Sequence, residues 1–358
     1  MIERLKQISK KSRTAVIAQN IYNNWRVRRR VDSGNIEASY GSSHSRISDL
    51  SDSVGYINAT FEDYLRYADL TPETIRGKKV LEIGHGDNLG VALRFLAAGA
   101  AEVVCLDKFY SKRDPERQRR IYLALRSELD DQAQKRFDEA IDLTTGTEIN
   151  SEKLKSIYGT GIEDAEQMFG SASFDIIISR AVIQSIQDSD TALAAMKQLL
   201  ACGGVMAHKI DMRDLGMFTN GGMHPLTFLT VSDSLYRMMT SATDKSNRRL
   251  IGYYAEKMAE LELESKLFVV SIIGQEDEIF PHKEKIEQGV DYSEEQLALI
   301  KAIRPRLNAR FKNLPDEELL VSTIFLIARK PAQQDFAIGS YEINAPVEQS
   351  KAGCSLGV

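Results

Sequence analysis

Apolar runs of strand length alternate with stretches of helical spacing through the middle of the chain. The runs that predict buried strands lie at residues 79–84, 101–107, 174–180 and 203–211. Helical spacing predicts helices at residues 89–98 and 191–200, and a long charged surface helix at 114–141. Strands that alternate with helices are typical of parallel βαβ units, so we expect a sheet with helices on both faces.

The segments on either side of this region have different patterns. Residues 15–30 and 61–67 have helical spacing, and the Ser-, Gly- and Asp-rich stretch at 39–53 between them predicts a loop. Two later apolar runs, at 266–273 and 319–328, predict two further strands with a charged helical insertion between them.

These patterns predict how the chain is divided. We expect an N-terminal helical extension or lid at 1–76, a central α/β domain at 77–331 and a C-terminal tail at 332–358. Insertions at 212–262 and 274–318 interrupt the central domain, and we expect both to build a substrate pocket.

A glycine-rich loop follows the first predicted strand. Residues 80–90 read VLEIGHGDNLG, and Asp107 ends the second predicted strand. A strand that leads through glycines into a helix lets the backbone approach a ligand at the carboxyl end of the sheet. An acidic residue about 20 positions further on can accept hydrogen bonds from ribose hydroxyls. The unit therefore predicts a ligand that contains a nucleoside.

Three cofactor types compete for such a loop. The phosphate-binding P-loop is excluded, because neither Gly84 nor Gly90 is followed by the required Lys and Ser or Thr. The dinucleotide fingerprint needs a third glycine where this chain has Leu89. Glu82, two residues before the first glycine, would repel a pyrophosphate and suits a cationic ligand. The loop therefore favours a cationic nucleoside cofactor over NAD or FAD.

The pattern E-x-G-x-G-x-x-x-G, with an acidic end to the next strand, resembles the first motifs of class I S-adenosylmethionine-dependent methyltransferases. The segments at 161–164, 173–180 and 199–205 resemble that family's acidic loop, fourth strand and Gly-Gly turn into the fifth strand. The resemblance implies a Rossmann-like seven-stranded sheet, mostly parallel with an antiparallel last strand. It also implies S-adenosyl-L-methionine as the cofactor and S-adenosyl-L-homocysteine as the product.

The resemblance assigns cofactor contacts residue by residue. It implies that Asp107 binds the ribose, that Lys108 lies beside the adenine, and that Glu82 orients the loop or faces the methionine ammonium. The full set implied to bind the cofactor is Glu82, Gly84, His85, Gly86, Asp87, Asn88, Asp107, Lys108, Ile162, Glu163, Ser179 and Arg180. Two features depart from the family pattern, because Ser185 replaces a histidine common there and His85 is unusual within the loop.

The candidates for a catalytic base follow the fifth strand. They are His208, Asp211 and His224. Strand alternation puts His208 and Ile210 on one face and Lys209 and Asp211 on the other, so His208 meets Asp211 only if the strand turns near Ile210. Magnesium held by Asp211, Asp214 and His224 is a weaker alternative, because no ligand spacing stands out, and we predict no metal.

Composition narrows the class of acceptor. The formal net charge of −5 argues against a dedicated nucleic-acid binder, which would normally carry a basic domain or stripe. The three cysteines form no CxxC pair, which argues against a cysteine zinc site. No apolar stretch reaches the roughly 18 residues of a membrane span, and we expect a cytoplasmic protein, monomeric or homo-oligomeric, without membrane partners. We predict O-methylation of a polar small molecule or glycan-type acceptor. Alternatives are N-methylation, a peptide or protein acceptor, or a non-catalytic nucleoside- or NAD-binding module.

Overall fold

The computed structural model describes residues 12–37, 49–144 and 148–332. A seven-stranded sheet forms its centre, with a separate two-stranded ribbon beside it. In chain order, the strands are β1 Lys79–Ile83, β2 Glu102–Asp107, β3 Ile141–Asp142, β4 Glu148–Ile149, β5 Leu154–Tyr158, β6 Phe174–Arg180, β7 Leu200–Asp211, β8 Glu264–Ile272 and β9 Val321–Arg329. Strands β3 and β4 make up the ribbon.

The sheet has the order β5-β2-β1-β6-β7-β9-β8. Strands β5, β2, β1, β6 and β7 pair in parallel. Strand β9 lies between β7 and β8 and runs antiparallel to both. The predicted Rossmann-like sheet with an antiparallel last strand is therefore confirmed.

Helices cover both faces of this sheet. They are α1 Arg13–Asp32, α2 Leu50–Tyr67, α3 Pro72–Ile75, α4 Gly90–Ala98, α5 Pro115–Ser127, α6 Asp131–Ala140, α7 Ala165–Phe169, α8 Ser189–Leu199, α9 Asp233–Thr240, α10 Ile251–Glu260, α11 Glu294–Ile303, α12 Ala309–Lys312 and α13 Asp316–Leu320. None of the described helices is long and apolar enough to cross a membrane.

Strand alternation divides the core into two apolar layers. Leu81 and Val104 belong to one cluster, and Val80 and Val103 belong to the other, on the opposite face of the sheet. Helix α2 packs on the second layer against the start of α4. A Cβ atom added to Gly90 would lie 2.4 Å from Cδ1 of Ile57, so glycine allows this close approach.

Three local predictions were wrong. Strand β5 was missed, because Lys155 and Ser156 interrupt its apolar pattern at the edge of the sheet. The charged segment at 114–141 forms two helices, since the Asp130 side chain accepts hydrogen bonds from the Gln132 and Ala133 amides and starts a new helix there. Helix α2 begins at Leu50, within the stretch predicted as loop.

Candidate active site

Two adjoining cavities open at the carboxyl ends of the central strands. The smaller has a volume of about 540 Å³ and lies between the ends of β1 and β2, helix α1 and residues 241–244. The larger, of about 1110 Å³, lies beyond the glycine loop and the ends of β6 and β7. The residues that line both are Gly84, Ala181, Val182, Ser185 and Asp244. We call the smaller one the donor cavity and the larger one the acceptor cavity.

Gly84 forms the narrow part of the shared wall. Its backbone is left-handed, with φ +72°, and its amide donates a hydrogen bond to the Leu106 carbonyl at 2.8 Å. A Cβ atom here would lie 2.3 Å from Cγ2 of Val182. Ala181, beside Val182, is also left-handed, with φ +56°. The backbone at Gly84 and at Ala181 is therefore held in a conformation that residues other than glycine rarely adopt, as is common at ligand sites.

Gly84→Ala is expected to lower the free energy of unfolding by about 1–2 kcal/mol from the left-handed backbone alone, with a further cost from the Val182 contact. Val182→Ala removes the clashing methyl groups, so the added penalty of Gly84→Ala should be smaller in that background. Urea unfolding of the two single variants and the double variant measures both terms. Equal penalties in the two backgrounds would contradict the close approach.

Asp107 is the last residue of β2 and lines the donor cavity. Its Oδ1 accepts a hydrogen bond from the Phe109 amide at 3.0 Å, and its Oδ2 accepts one from the Gly86 amide at 3.4 Å. Burial raises the pKa of its carboxyl, although the two amides act in the opposite direction. The carboxylate therefore links the end of β2 to the glycine loop, and it borders the cavity from there.

The far end of the donor cavity combines an apolar wall with an ion pair. Ile162 is buried there, and Nζ of Lys108 lies 3.8 Å from Oε1 of Glu163. A planar base against an aliphatic wall, with a ribose at Asp107, fits this donor set. The volume also falls within the roughly 300–1,000 Å³ typical of small-molecule pockets.

Helix α1 closes the donor cavity from outside. Arg28, Val31 and Asp32 line it, and Arg28 donates a hydrogen bond to Oγ of Ser241 at 2.9 Å. The Asn24 side chain adds a bond to the same Ser241 oxygen at 3.1 Å. The predicted lid extension and the first predicted insertion therefore meet over the donor cavity.

A polar cluster supports the glycine loop at His85, and its other two members, Tyr158 and Arg113, were not predicted. Nε2 of His85 lies 3.0 Å from the Tyr158 hydroxyl, and Arg113 donates a hydrogen bond to that hydroxyl at 2.6 Å. Burial lowers the pKa of His85 to about 3, and the Arg113 charge acts in the same direction. His85 is therefore neutral at pH 7. Tyr158 belongs to the missed strand β5, which explains why no local pattern indicated the cluster.

Glu82 lies in the sheet behind the loop, outside both cavities. Its Oε2 accepts a hydrogen bond from Sγ of Cys105 at 3.5 Å, and burial raises its pKa to about 7. A carboxyl with a raised pKa favours the folded state at acid pH. That stabilisation is complete below about pH 4.5 and is lost as the pH rises through about 7.

Glu82→Gln is expected to remove this loss and to stabilise the ligand-free protein above pH 7, by up to the order of 3 kcal/mol. Glu102→Gln is the matched control on β2. Burial raises the pKa of Glu102, but Lys155 and Lys79 lower it overall, so its removal should destabilise the protein at the same pH. Urea unfolding at pH 5 and pH 8 measures both. Glu82→Gln less stable than the wild type at pH 8 would contradict the assignment.

The structure does not bring the predicted catalytic residues together. His208 is fully buried between β6 and β9 and lines neither cavity, with Nδ1 2.8 Å from Oγ of Ser179. Burial lowers the pKa of His208 to about 3. His224 lies 3.0 Å from the Leu299 carbonyl through Nε2, also outside both cavities. Their positions argue against a role for either histidine as the base.

Asp211 does line the acceptor cavity, on the strand face that alternation predicted. Arg213 donates hydrogen bonds to both of its oxygens, at 2.8 and 2.6 Å. Asp214, the other acidic residue considered for a metal, accepts backbone hydrogen bonds from Phe218 and Thr219 and caps that turn. In the described ranges, no group of three or more His, Cys, Asp or Glu side chains is arranged to hold a metal ion.

Most of the residues predicted to bind the cofactor border one cavity or the other. Those along the donor cavity are Gly84, Asp107, Lys108, Ile162 and Glu163. Those along the acceptor cavity are Gly84, His85, Gly86, Asp87, Asn88 and Arg180. Glu82 and Ser179 lie behind these surfaces. Asp244, Lys209 and Glu278, which also border the acceptor cavity, were not predicted.

Sequence comparison identifies the family. Residues 58–250, more than half of the chain, match a family model described as a methyltransferase domain. The chain belongs to this methyltransferase family and is a class I S-adenosylmethionine-dependent enzyme. No curated protein matches the chain significantly.

Solved structures similar to this chain include three methyltransferases. The carbon methyltransferase CurJ is 13% identical, with 79% of this chain and 59% of that chain covered and a TM-score of 0.36. Haemonchus contortus phosphoethanolamine N-methyltransferase 2 is 14% identical, with 76% and 60% covered and a TM-score of 0.37. Geranyl diphosphate C-methyltransferase from Streptomyces coelicolor is 10% identical, with 83% and 87% covered and a TM-score of 0.39. The chain thus spans less than two thirds of the first two.

Proposed function

We propose that the protein methylates an oxygen atom of a polar small molecule. The observation that carries this proposal is the shared wall, where Gly84, Val182 and Asp244 border both cavities. Methyl transfer is an in-line displacement, so donor and acceptor need to meet from opposite sides of one point. With the adenosyl group of the cofactor in the donor cavity, the methyl group on the sulfonium sulfur would point through this wall into the acceptor cavity.

Bound S-adenosylmethionine supplies a methyl group that is already activated on a sulfonium sulfur. The task of the chain is then to orient the two reactants, and to remove a proton if the acceptor is a neutral hydroxyl. We assign the donor cavity to the adenosyl portion, with Asp107 at the ribose and Ile162 against the adenine. The glycine loop would lie along the methionine portion.

Asp244 is the proton acceptor in this proposal. It lies at the junction of the cavities, in a loop held by a hydrogen bond from Oγ of Ser185 to the Asp244 carbonyl at 2.6 Å. Burial raises the pKa of its carboxyl, although the neighbouring Lys245 charge acts in the opposite direction. By contrast, both oxygens of Asp211 already accept hydrogen bonds from Arg213, so they are less available to take a proton from the acceptor.

The lining of the acceptor cavity favours a small polar acceptor. Four cationic side chains border it, from Arg180, Lys209, Arg213 and Lys245. They are interspersed with the carboxylates of Asp87, Asp211, Asp244, Glu276 and Glu278. This mixture of charges differs from the open acidic groove expected for a basic peptide.

The test uses cofactor labelled with ¹³C in the methyl group, incubated with the protein and the small-molecule extract of its source organism. We expect label in the small-molecule fraction, at a chemical shift of a methyl group on oxygen. Label on nitrogen would overturn the proposed acceptor atom, and label in the macromolecular fraction would overturn the acceptor class. An extract incubated without the protein is the control.

A further inference from the structure

We propose that the acceptor carries a carboxylate or phosphate group, and that Arg180 and Lys209 bind this group at the floor of the acceptor cavity. The inference rests on the proposed function, because it assigns a ligand to the acceptor side of that site. Neither the family nor the fold determines the charge of the acceptor.

The two cations are direct neighbours in the sheet. Arg180 ends β6 and pairs in register with Lys209 on the parallel strand β7. Both line the acceptor cavity, and neither lines the donor cavity. The carboxyl ends of adjacent parallel strands are where open α/β sheets bind their ligands. The pair therefore faces the space that the acceptor would occupy.

Both side chains are largely withdrawn from water, with 18% of Arg180 and 8% of Lys209 exposed. Burial lowers the pKa of Lys209, and the neighbouring Arg180 charge lowers it further. Two adjacent buried cations require negative partners. Asp63 on α2 supplies one, since its Oδ2 lies 2.9 Å from Nη1 of Arg180 and 3.9 Å from Nζ of Lys209. One partly buried carboxylate therefore serves two cations.

The second negative partner comes from a loop. Oε1 of Glu278 lies 2.5 Å from Nζ of Lys209, and the Glu278 side chain is 49% exposed. Glu278 belongs to the segment between β8 and α11, where His282 lies 3.3 Å from its other oxygen. About half of the Glu278 side chain is already exposed to water, against 18% of the Asp63 side chain, so Glu278 can be displaced at lower cost than Asp63. An anionic group on the acceptor would replace Glu278 at Lys209.

The methionine carboxylate of the cofactor is the other anion that can reach Arg180. The family resemblance implies that Arg180 contacts the cofactor, so the two assignments need to be separated. Saturation with S-adenosylhomocysteine fills the methionine site and leaves the acceptor site open. Binding of inorganic phosphate to this saturated complex then reports on the acceptor side alone.

The experiment follows the melting temperature of the complex as phosphate replaces chloride at constant ionic strength. We expect phosphate to raise the melting temperature of the wild-type complex. Lys209→Met should raise the phosphate concentration needed for the half-maximal increase in melting temperature about 10- to 100-fold. Glu278→Gln should lower that phosphate concentration about two- to fivefold, because the substitution removes the competing carboxylate. Lys155→Met is the matched control, since Lys155 is an ion-paired strand lysine outside both cavities, and should leave the phosphate effect unchanged.

Three results would overturn the inference. The first is no phosphate effect in the saturated wild type. The second is a phosphate effect seen only without S-adenosylhomocysteine, which would mean that Arg180 and Lys209 bind the methionine carboxylate instead. The third is no strengthening in Glu278→Gln, a test that stands even if Lys209→Met fails to fold. Failure of the wild type to bind S-adenosylhomocysteine is a separate result, and it would overturn the proposed function itself.

Discussion

Asp244→Asn is expected to lower kcat by about 10²- to 10⁴-fold, the usual contribution of a general base. The amide keeps the size of the side chain and cannot take a proton from the acceptor hydroxyl. The measurement is the initial rate of label transfer from S-adenosylmethionine into the small-molecule extract, at saturating cofactor. S-adenosylhomocysteine affinity, measured in parallel, shows whether the donor cavity is intact.

Asp211→Asn is the comparison that makes this prediction specific. Arg213 already holds both Asp211 oxygens, so we expect its loss to reduce the rate less than the loss of Asp244. The wild-type rate should also rise with pH through the raised pKa of Asp244, because the ionised carboxylate is the active form. Asp244→Asn should lack this rise. A larger effect of Asp211→Asn would transfer the role of base to Asp211.

Asp107→Ala is expected to weaken S-adenosylhomocysteine binding about 10- to 100-fold, the worth of hydrogen bonds to a charged group. The side chain also accepts hydrogen bonds from the Gly86 and Phe109 amides, so its loss should loosen the loop as well. Calorimetry gives the affinity, and circular dichroism checks that the variant is folded.

Two controls accompany this variant. Asp188→Ala replaces another aspartate at the donor cavity, one whose carboxylate caps helix α8, and should affect affinity less. NADH, titrated into the wild type, should not bind. Unchanged affinity in Asp107→Ala would remove Asp107 from the ribose, and tight NADH binding would support the dinucleotide alternative.

The elements that the sequence predicted best have local causes. Strands β1, β2, β6 and β7 are nearly continuous apolar runs, since parallel strands are buried on both faces. The glycine loop and Asp107 are also local, because one strand–turn–helix unit and the next strand place them together. Strand β5 lies at the edge of the sheet, where polar residues are tolerated, and its weaker pattern was missed.

The acceptor side depends on contacts between distant parts of the chain. Asn24 and Ser241, which join the lid to the loop of Asp244, are 217 positions apart. Alternation correctly separated Lys209 and Asp211 from His208. It could not show which strand face meets the cavity, because helices and loops far along the chain decide that. The histidines were therefore chosen for their chemistry, and the structure places both elsewhere.

The most direct test of the account is a structure of the protein with S-adenosylhomocysteine bound. We predict the adenine beside Ile162, the ribose at Asp107 and the sulfur at the wall formed by Gly84, Val182 and Asp244, facing the acceptor cavity. A sulfur that faces away from this wall, or an adenosyl group in the acceptor cavity, would contradict the proposed path of methyl transfer.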